Sequence, residues 1–227
     1  MARNPAVRKA AKATKRKAVV AGKRQQEVAA RTPAARIQQA AKMPVLKCLL
    51  APNLFEAGIG AAVLIRGVSR EEQHVGTFML DTFCLGVKDS FFRVLDRQDA
   101  DAMMASLQAA DAVEPVDPSE VRKLLHDLVA WAGANGFPPH KHYVLIETLF
   151  GDVVPADTDF TPRFGRDGKV VYMPGPLETA AEIRRRTVMV QSRFGAAAVD
   201  MGVLSFGHMI EDDDDDVVDV ELVPEND

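Results

Sequence analysis

Cysteine is scarce in this chain of 227 residues: Cys48 and Cys84 are its only two, and they form no CxxC pair. This excludes a disulfide scaffold and fits a reducing compartment. No apolar run approaches the roughly 18 residues that suggest a membrane span. Near the N-terminus the longest apolar stretch, 18–22, is too short for a secretory signal. The sequence therefore predicts a cytoplasmic protein that does not contact a membrane.

Acidic residues are nearly absent from the first 42 residues, and basic residues are absent from the last 17. Residues 1–42 hold twelve Lys or Arg and one acid, Glu27, a net charge of +11. Residues 211–227 hold ten acids and no base, a net charge of −10. Blocks of like charge repel and rarely pack. We therefore expect a disordered basic arm over 1–42, a single globular domain over 43–210 and a disordered acidic tail over 211–227.

The middle of the chain mixes two hydrophobic periodicities. Segments of strand character occupy 45–50, 61–66, 75–85 and 199–206, and Asp167-Gly168 predicts the turn of a hairpin over 164–172. Segments of helical character occupy 97–110, 118–132, 140–150 and 178–194. The strands lie in hairpins rather than in regular βαβ units. The expected fold is therefore α+β, with a mixed or antiparallel sheet and packed helices.

Three short stretches carry a resemblance. They are CLGVKD at 84–89, GFPPH at 136–140, and FGRDGK at 164–169 followed by Tyr172 and Gly175-Pro176. These stretches resemble recurring segments of an uncharacterised bacterial protein family, whose members also open with a basic arm. The resemblance implies one coherent domain over about 43–206. Because the family has no assigned activity, it transfers no catalytic residue.

The most reaction-like cluster in the sequence surrounds a cysteine. Lys88 lies four residues after Cys84, and a nearby cation lowers the pKa of a thiol. With His140 or His142 as a base, or with Asp81 and Asp89 as metal ligands, these residues suggest a small metal- or thiol-dependent hydrolase centred on Asp81, Cys84, Asp89 and His140. We keep this enzyme as the alternative function.

A structural role for the same residues is the favoured interpretation. Cys84 ends a segment that is apolar on both faces, where a free cysteine commonly acts as a small buried hydrophobe. An acid in such a segment, Asp81, requires a partner. The sequence offers two: the loop at Gly86, which Asp81 would cap, or the ammonium group of Lys88.

Neither a metal site nor a cofactor is predicted. His140 and His142 are two residues apart, and on the helix expected over 140–150 they would diverge by roughly 200°. Zinc requires three or four protein ligands, and no cysteine or third histidine lies close in sequence. The glycines Gly58 and Gly60 precede a strand-like run, whereas a dinucleotide-binding loop leads into a helix.

The basic arm gives the strongest functional signal. Dense Lys and Arg without an apolar stripe are typical of a segment that binds a polyanion through counterion release. The expected contacts are Arg8, Lys9, Lys12, Lys15, Arg16, Lys17, Lys23 and Arg24, extended by Arg184, Arg185 and Arg186. Glu182 is spaced to pair with Arg186 along a helix. A purely solubilising arm is the competing interpretation.

Together these features predict a non-catalytic cytoplasmic binding protein. Its arm would contact a nucleic acid or a ribonucleoprotein, and its core would contact a protein partner. A third hypothesis treats residues 1–42 as a transit segment for an organelle, because residues 1–26 contain no acid. In the acidic tail, residues 217–222 alternate apolar and acidic side chains in a pattern that can add as a strand to another sheet.

Overall fold

The computed structural model describes residues 32–109, 112–158, 162–175 and 178–200. Within these ranges the fold is α+β: helices pack against a five-stranded antiparallel sheet. The strands are β1 (Val45–Leu50), β2 (Ile59–Arg66), β3 (Glu72–Asp81), β4 (Gly86–Asp96) and β5 (Glu114–Pro115). The helices are α1 (Pro33–Ala40), α2 (Leu54–Ala57), α3 (Arg97–Ala109), α4 (Pro118–Ala134), α5 (Tyr143–Glu147) and α6 (Ala180–Phe194).

The sheet is a meander with one added strand. Its order is β4-β3-β2-β1-β5, so each of the first four strands pairs with its neighbour in sequence. The sequence also predicts that the strand-like runs 61–66 and 75–85, joined by a short polar loop, form an antiparallel hairpin, and β2 and β3 confirm it. The outermost strand β5 has two residues, whereas β4, at the opposite edge, has eleven.

The main core lies between one face of the sheet and helices α1, α4 and α5. The clearest of these helices was predicted correctly: Asp117 caps α4 by accepting a hydrogen bond from Ser119 N at 2.8 Å, and Pro118 occupies the first turn. Buried side chains of this core include Ala62, Leu64, Phe78, Leu80, Leu124, Leu125, Leu128 and Ile146. On the opposite face α3 covers a second cluster through Met104.

The N-terminal boundary of the domain lies earlier than the charge pattern predicted. Residues 33–40, assigned to the basic arm, form α1, whose Ile37 and Ala40 are completely buried. Thr32 caps this helix by accepting a hydrogen bond from Ala35 N at 3.3 Å. Ile37 is the only large apolar residue of this helix, so the sequence shows no helical hydrophobic periodicity that would predict a buried face. Residues 1–31 of the arm and the whole acidic tail lie outside the described residues.

The strand expected over 75–85 ends at Asp81, and residues 82–85 form the turn into β4. The sequence suggested one continuous strand because the four turn residues 82–85 belong to the core and continue the largely apolar run.

The helix expected from 140 begins at Tyr143 and tightens into a 3-10 turn over Thr148–Phe150. The hairpin at 164–172 reduces to one bridge around Asp167-Gly168. Of the strand expected over 199–206, Val199 bridges to Tyr172 and residues 201–206 lie outside the described ranges.

Candidate functional site

Asp81 fixes the turn between β3 and β4. Its side chain is buried, and its Oδ1 accepts hydrogen bonds from Phe83 N at 3.0 Å and Cys84 N at 2.8 Å. Its Oδ2 has no hydrogen-bond partner within the described ranges. Burial raises the pKa of this carboxyl group to about 6, although the charge of Lys88 and the backbone N–H groups act in the opposite direction. Asp81 therefore caps the loop, one of its two expected roles.

A β-bulge places Lys88 beside this turn. Met79 pairs with Asp89 and Leu80 pairs with Val87, so Lys88 is an extra residue in β4. Bulges bend a strand and redirect side chains. Here the Lys88 Nζ lies 2.6 Å from Glu178 Oε1, and both side chains are less than a tenth exposed. The expected partnership of Lys88 with Asp81 is thus electrostatic only, and its direct partner is an acid 90 residues away.

Glu178 is the centre of a buried polar network. Besides Lys88, it accepts hydrogen bonds from the Tyr172 hydroxyl, from Arg186 at 2.9 Å and from Gly175 N at 3.1 Å. Burial alone would raise the pKa of Glu178, but hydrogen bonds from Lys88 and Tyr172 and the neighbouring positive charges hold it below its ordinary value. This network joins the segment leading into α6 to the bulge of β4.

Cys84 lies at the base of the same region. It sits in the turn rather than in a strand, and its side chain is completely buried. Burial first, and then the charge of Asp81, raise the pKa of its thiol well above the ordinary value. A thiol nucleophile needs the opposite environment, one that favours the thiolate. Cys84 therefore behaves as a small apolar side chain, which is the role favoured from the sequence.

Asp89 and His140 meet at the rim of this region, apart from the thiol. Asp89 Oδ1 lies 3.3 Å from His140 Nδ1, and both side chains are partly exposed. Burial, with contributions from His142, Lys141 and Arg186, lowers the pKa of His140 despite the nearby carboxylate.

The expected divergence of the two histidine rings is wrong. His140 and His142 precede α5 instead of lying on it, and their rings meet edge to face with centroids 4.8 Å apart. Across the described ranges, no group of three or more His, Cys, Asp or Glu side chains could hold a metal ion.

The arginine cluster on α6 separates into two parts. Arg184 and Arg185 are exposed, whereas Arg186 is bound to Glu178 rather than to Glu182. Glu182 instead completes a capping box with Thr179. The i,i+4 pairing expected for Arg186 is therefore wrong, and its guanidinium group is occupied inside the protein. The arm contacts Arg8, Lys9, Lys12, Lys15, Arg16, Lys17, Lys23 and Arg24 lie outside the described residues.

An open surface cavity of about 980 Å³ lies between α4 and the loop at 162–168. Its apolar lining includes Trp131 and Phe164, whose ring centroids are 5.5 Å apart, and Asp127 and Arg163 lie beside them. Phe55, 40% exposed, continues this aromatic surface on the other side of Phe164. Sequence reasoning missed this surface because its residues come from three separate segments. The one available signal was the single tryptophan of the chain.

The chain was compared with known proteins. No family model matches it, and neither a curated protein nor a solved structure matches it. Among the described helices, none combines the length and the apolar character needed to cross a bilayer. What the site can do therefore follows from its geometry. Asp81, Lys88, Glu178 and Arg186 are engaged in contacts that hold the turn, the bulge and α6 together.

Proposed function

We propose that this chain is a non-catalytic cytoplasmic binding protein, whose basic arm contacts a nucleic acid or a ribonucleoprotein. The observation that carries this proposal is the charge of the arm. Ten Lys or Arg and one acid precede Thr32, a net charge of +9 over 31 residues. Such a segment binds phosphates by releasing counterions, with affinity that depends on salt rather than on base sequence.

The outer surface of α1 supports this proposal. On this helix Arg36, Gln38 and Gln39 are exposed, and Lys42 is exposed in the turn that follows it. No acid lies on this helix. A polyanion bound to the arm would therefore meet a basic and polar surface where the arm joins the domain. No aromatic residue precedes Phe55, so base stacking by the arm contributes nothing and sequence preference is weak.

The core offers a separate surface for a protein partner. Trp131 and Phe55 are partly exposed, and each packs against the buried ring of Phe164 beside Arg163. Aromatic and arginine side chains are enriched at protein interfaces, because they bury large areas while retaining polar contacts. Binding of a ribonucleoprotein would use both surfaces, the arm on the nucleic acid and this aromatic group on the protein.

The arm is tested by titrating labelled duplex DNA with the full chain over a range of salt concentrations. Binding through about 4–6 phosphate contacts gives a slope of about −3 to −5 for log K against log salt. A variant lacking residues 1–31 should lose most of that slope and retain its fold, because the deletion stops before α1. A deletion of residues 1–42 would also remove the buried Ile37 from the core, so a loss of binding could then result from a loss of folding.

The matched control replaces the exposed pair Arg184 and Arg185 with glutamine and keeps the arm. This variant should lose less of the slope than the arm deletion, since it removes two charges instead of ten. Full binding with an unchanged slope after deletion of 1–31 would contradict the proposal and would place the polyanion on the folded core.

A further inference from the structure

The surface cavity beside α4, here called the aromatic cavity, has an apolar wall that is open to solvent. Trp131 is partly exposed in it, Ala130 beside it is exposed, and the buried ring of Phe164 packs against the indole. The acid Asp127 also lines the cavity, but its carboxylate is already paired with Lys123 at 2.6 Å. An exposed apolar surface bounded by polar residues marks a binding site.

The last described residue lies close to this cavity. Asp200 Oδ2 is 2.6 Å from the guanidinium group of Arg166. A smaller cavity beside Asp200 shares Asp167 with the aromatic cavity, so the two cavities lie on either side of the loop 166–169. That loop is one antiparallel turn, closed by a bridge between Arg166 and Lys169. Because paired strands are only about 5 Å apart, the residues after Asp200 start one turn's width from the aromatic cavity.

The chain reaches Asp200 in an extended conformation that carries it onward. Val199 has φ −125° and ψ 121°, and Asp200 N donates to Tyr172 O at 2.9 Å. Continued in this way, the chain covers about 13 Å from Asp200 to Leu204 and about 20 Å to Phe206. Both distances exceed the width of the turn, so both side chains are within reach of the cavity.

The composition of the following residues matches the cavity. Six of the ten residues 201–210 are large and apolar, and none is Lys, Arg, Asp or Glu. The acidic run 211–216 follows them directly. Arg163 and Lys169 are exposed beside the two cavities, and neither is in an ion pair among the described residues. An apolar segment followed by acids is therefore complementary to an apolar cavity beside free cations.

We propose that residues 203–210 occupy the aromatic cavity of the same chain, with Leu204 and Phe206 packed against Trp131. Because alternate residues of an extended segment share a face, these two side chains point one way and Ser205 points the other. A short tether holds a segment at an effective concentration on the order of millimolar near its site. The chain's own segment therefore occupies the cavity in preference to the same segment of a second copy.

The segment would then control access to the surface that a protein partner uses. This consequence rests on the proposed function: a partner would bind Trp131 and Phe55 only after displacing residues 203–210. The segment itself is tested without a partner and without nucleic acid. Its failure is therefore distinguishable from failure of the basic arm, which the DNA titration measures.

The experiment uses the fluorescence of Trp131, the single tryptophan of the chain, in the nuclease-treated full protein. Leu204→Asp and Phe206→Asp should each shift the emission maximum to longer wavelength. Each should also raise the acrylamide quenching constant about twofold, because a charged side chain leaves an apolar cavity and uncovers the indole. Ser205→Asp is the matched control, since it adds the same charge on the opposite face, and it should leave both quantities unchanged.

A peptide of residues 201–216 separates displacement from misfolding. Added in excess to the Phe206→Asp protein, it should fill the vacated cavity and restore the emission and quenching of the wild type. That recovery also shows that the variant is folded. The same peptide should leave the wild-type protein unchanged, because its cavity is already filled.

Three results would overturn the proposal. The first is quenching of Trp131 that is the same in the wild type, Leu204→Asp and Phe206→Asp. The second is an equal effect of Ser205→Asp, which would show that any added charge disturbs the indole. The third is shielding of Trp131 that decreases on dilution, which would place the segment of a second copy in the cavity.

Discussion

The carboxyl group of Asp81 has two opposite effects on stability: it hydrogen-bonds the β3–β4 turn, and it is costly to ionise where it is buried. Its Oδ1 holds the β3–β4 turn through two backbone N–H groups, but its Oδ2 is buried without a hydrogen-bond partner in the described part of the chain. Burial disfavours the ionised form. Because the pKa rises to about 6 on folding, Asp81 contributes stability that is fully present in acid and is lost as the pH rises through that value.

Replacing Asp81 with asparagine should remove this pH dependence. The amide oxygen can still accept both backbone hydrogen bonds, and it carries no charge at any pH. With a pKa that rises on folding from 3.8 to about 6, linkage gives a difference of about 2 kcal/mol between pH 4.5 and pH 7. Relative to the wild type, Asp81→Asn should therefore gain about that much free energy of unfolding over this range. Urea unfolding of both proteins at the two pH values measures it.

The control for this measurement is Asp101→Asn, which changes an exposed carboxylate paired along α3. Its free energy of unfolding relative to the wild type should differ little between the two pH values. If Asp81→Asn instead loses stability equally at both, the residue acts through its turn geometry alone and its buried charge is of no consequence.

At the scale of secondary-structure elements, α1 is where charge patterning failed. Lys and Arg make up all but one of the charged residues in 1–42, yet Ile37 packs in the main core, where α1 contacts α5 and the 3-10 turn that follows it. We expect Ile37→Ala to lower the free energy of unfolding by about 2–5 kcal/mol, the range for a buried large-to-small change. The neighbouring exposed change Gln38→Ala should stay within about 0.5 kcal/mol. Chemical denaturation compares the two, and equal effects would mean that α1 is not part of the cooperative unit.

Elements with strong local signals were predictable. The cap Asp117 and Pro118 mark the start of α4, and its apolar spacing marks the buried face. The hairpin of β2 and β3 follows from two apolar runs across a polar loop. β4 was missed because Lys88, Asp89 and Arg93 interrupt its apolar pattern, and the bulge breaks the two-residue alternation.

The polar network could be predicted only in part. An interaction between Asp81 and Lys88 could be predicted because the two residues are only seven positions apart in the sequence. It gave no sign that Glu178 would be their neighbour, since that contact depends on how α6 returns to the sheet over 90 residues. Arg186 was assigned to Glu182 by helical spacing, but the capping box at Thr179 already occupies that carboxylate. Local rules identify pairs along one element and do not reach pairs between elements.

At the scale of the whole molecule, opposite charges stand at the two ends of one chain. Residues 1–42 carry +11 and residues 211–227 carry −10. Oppositely charged segments attract within a Debye length of about 8–10 Å near physiological salt. We expect the acidic tail to compete with nucleic acid for the arm.

Removing residues 211–227 should therefore tighten binding to duplex DNA, most strongly at low salt, and the gain should shrink as salt screens both contacts. Fluorescence anisotropy of the full and shortened chains measures this. A peptide of residues 211–227 added to the shortened chain should displace the DNA. If neither the deletion nor the peptide alters affinity at low salt, the two charged segments act independently.

The long return from Lys88 to Glu178 has a consequence for synthesis on the ribosome. The hairpins of β1 to β4 close between neighbours in sequence, and such pairings form quickly because little loop entropy is lost. Glu178 follows Lys88 by 90 residues, a delay of roughly 5–20 s at ordinary rates of translation. During that interval the nascent meander exists without its C-terminal helix, and the ammonium group of Lys88 has yet to meet its carboxylate. We therefore expect α6 and the residues after it to dock late in folding, and a chain stalled before residue 178 to lack the carboxylate that pairs with Lys88.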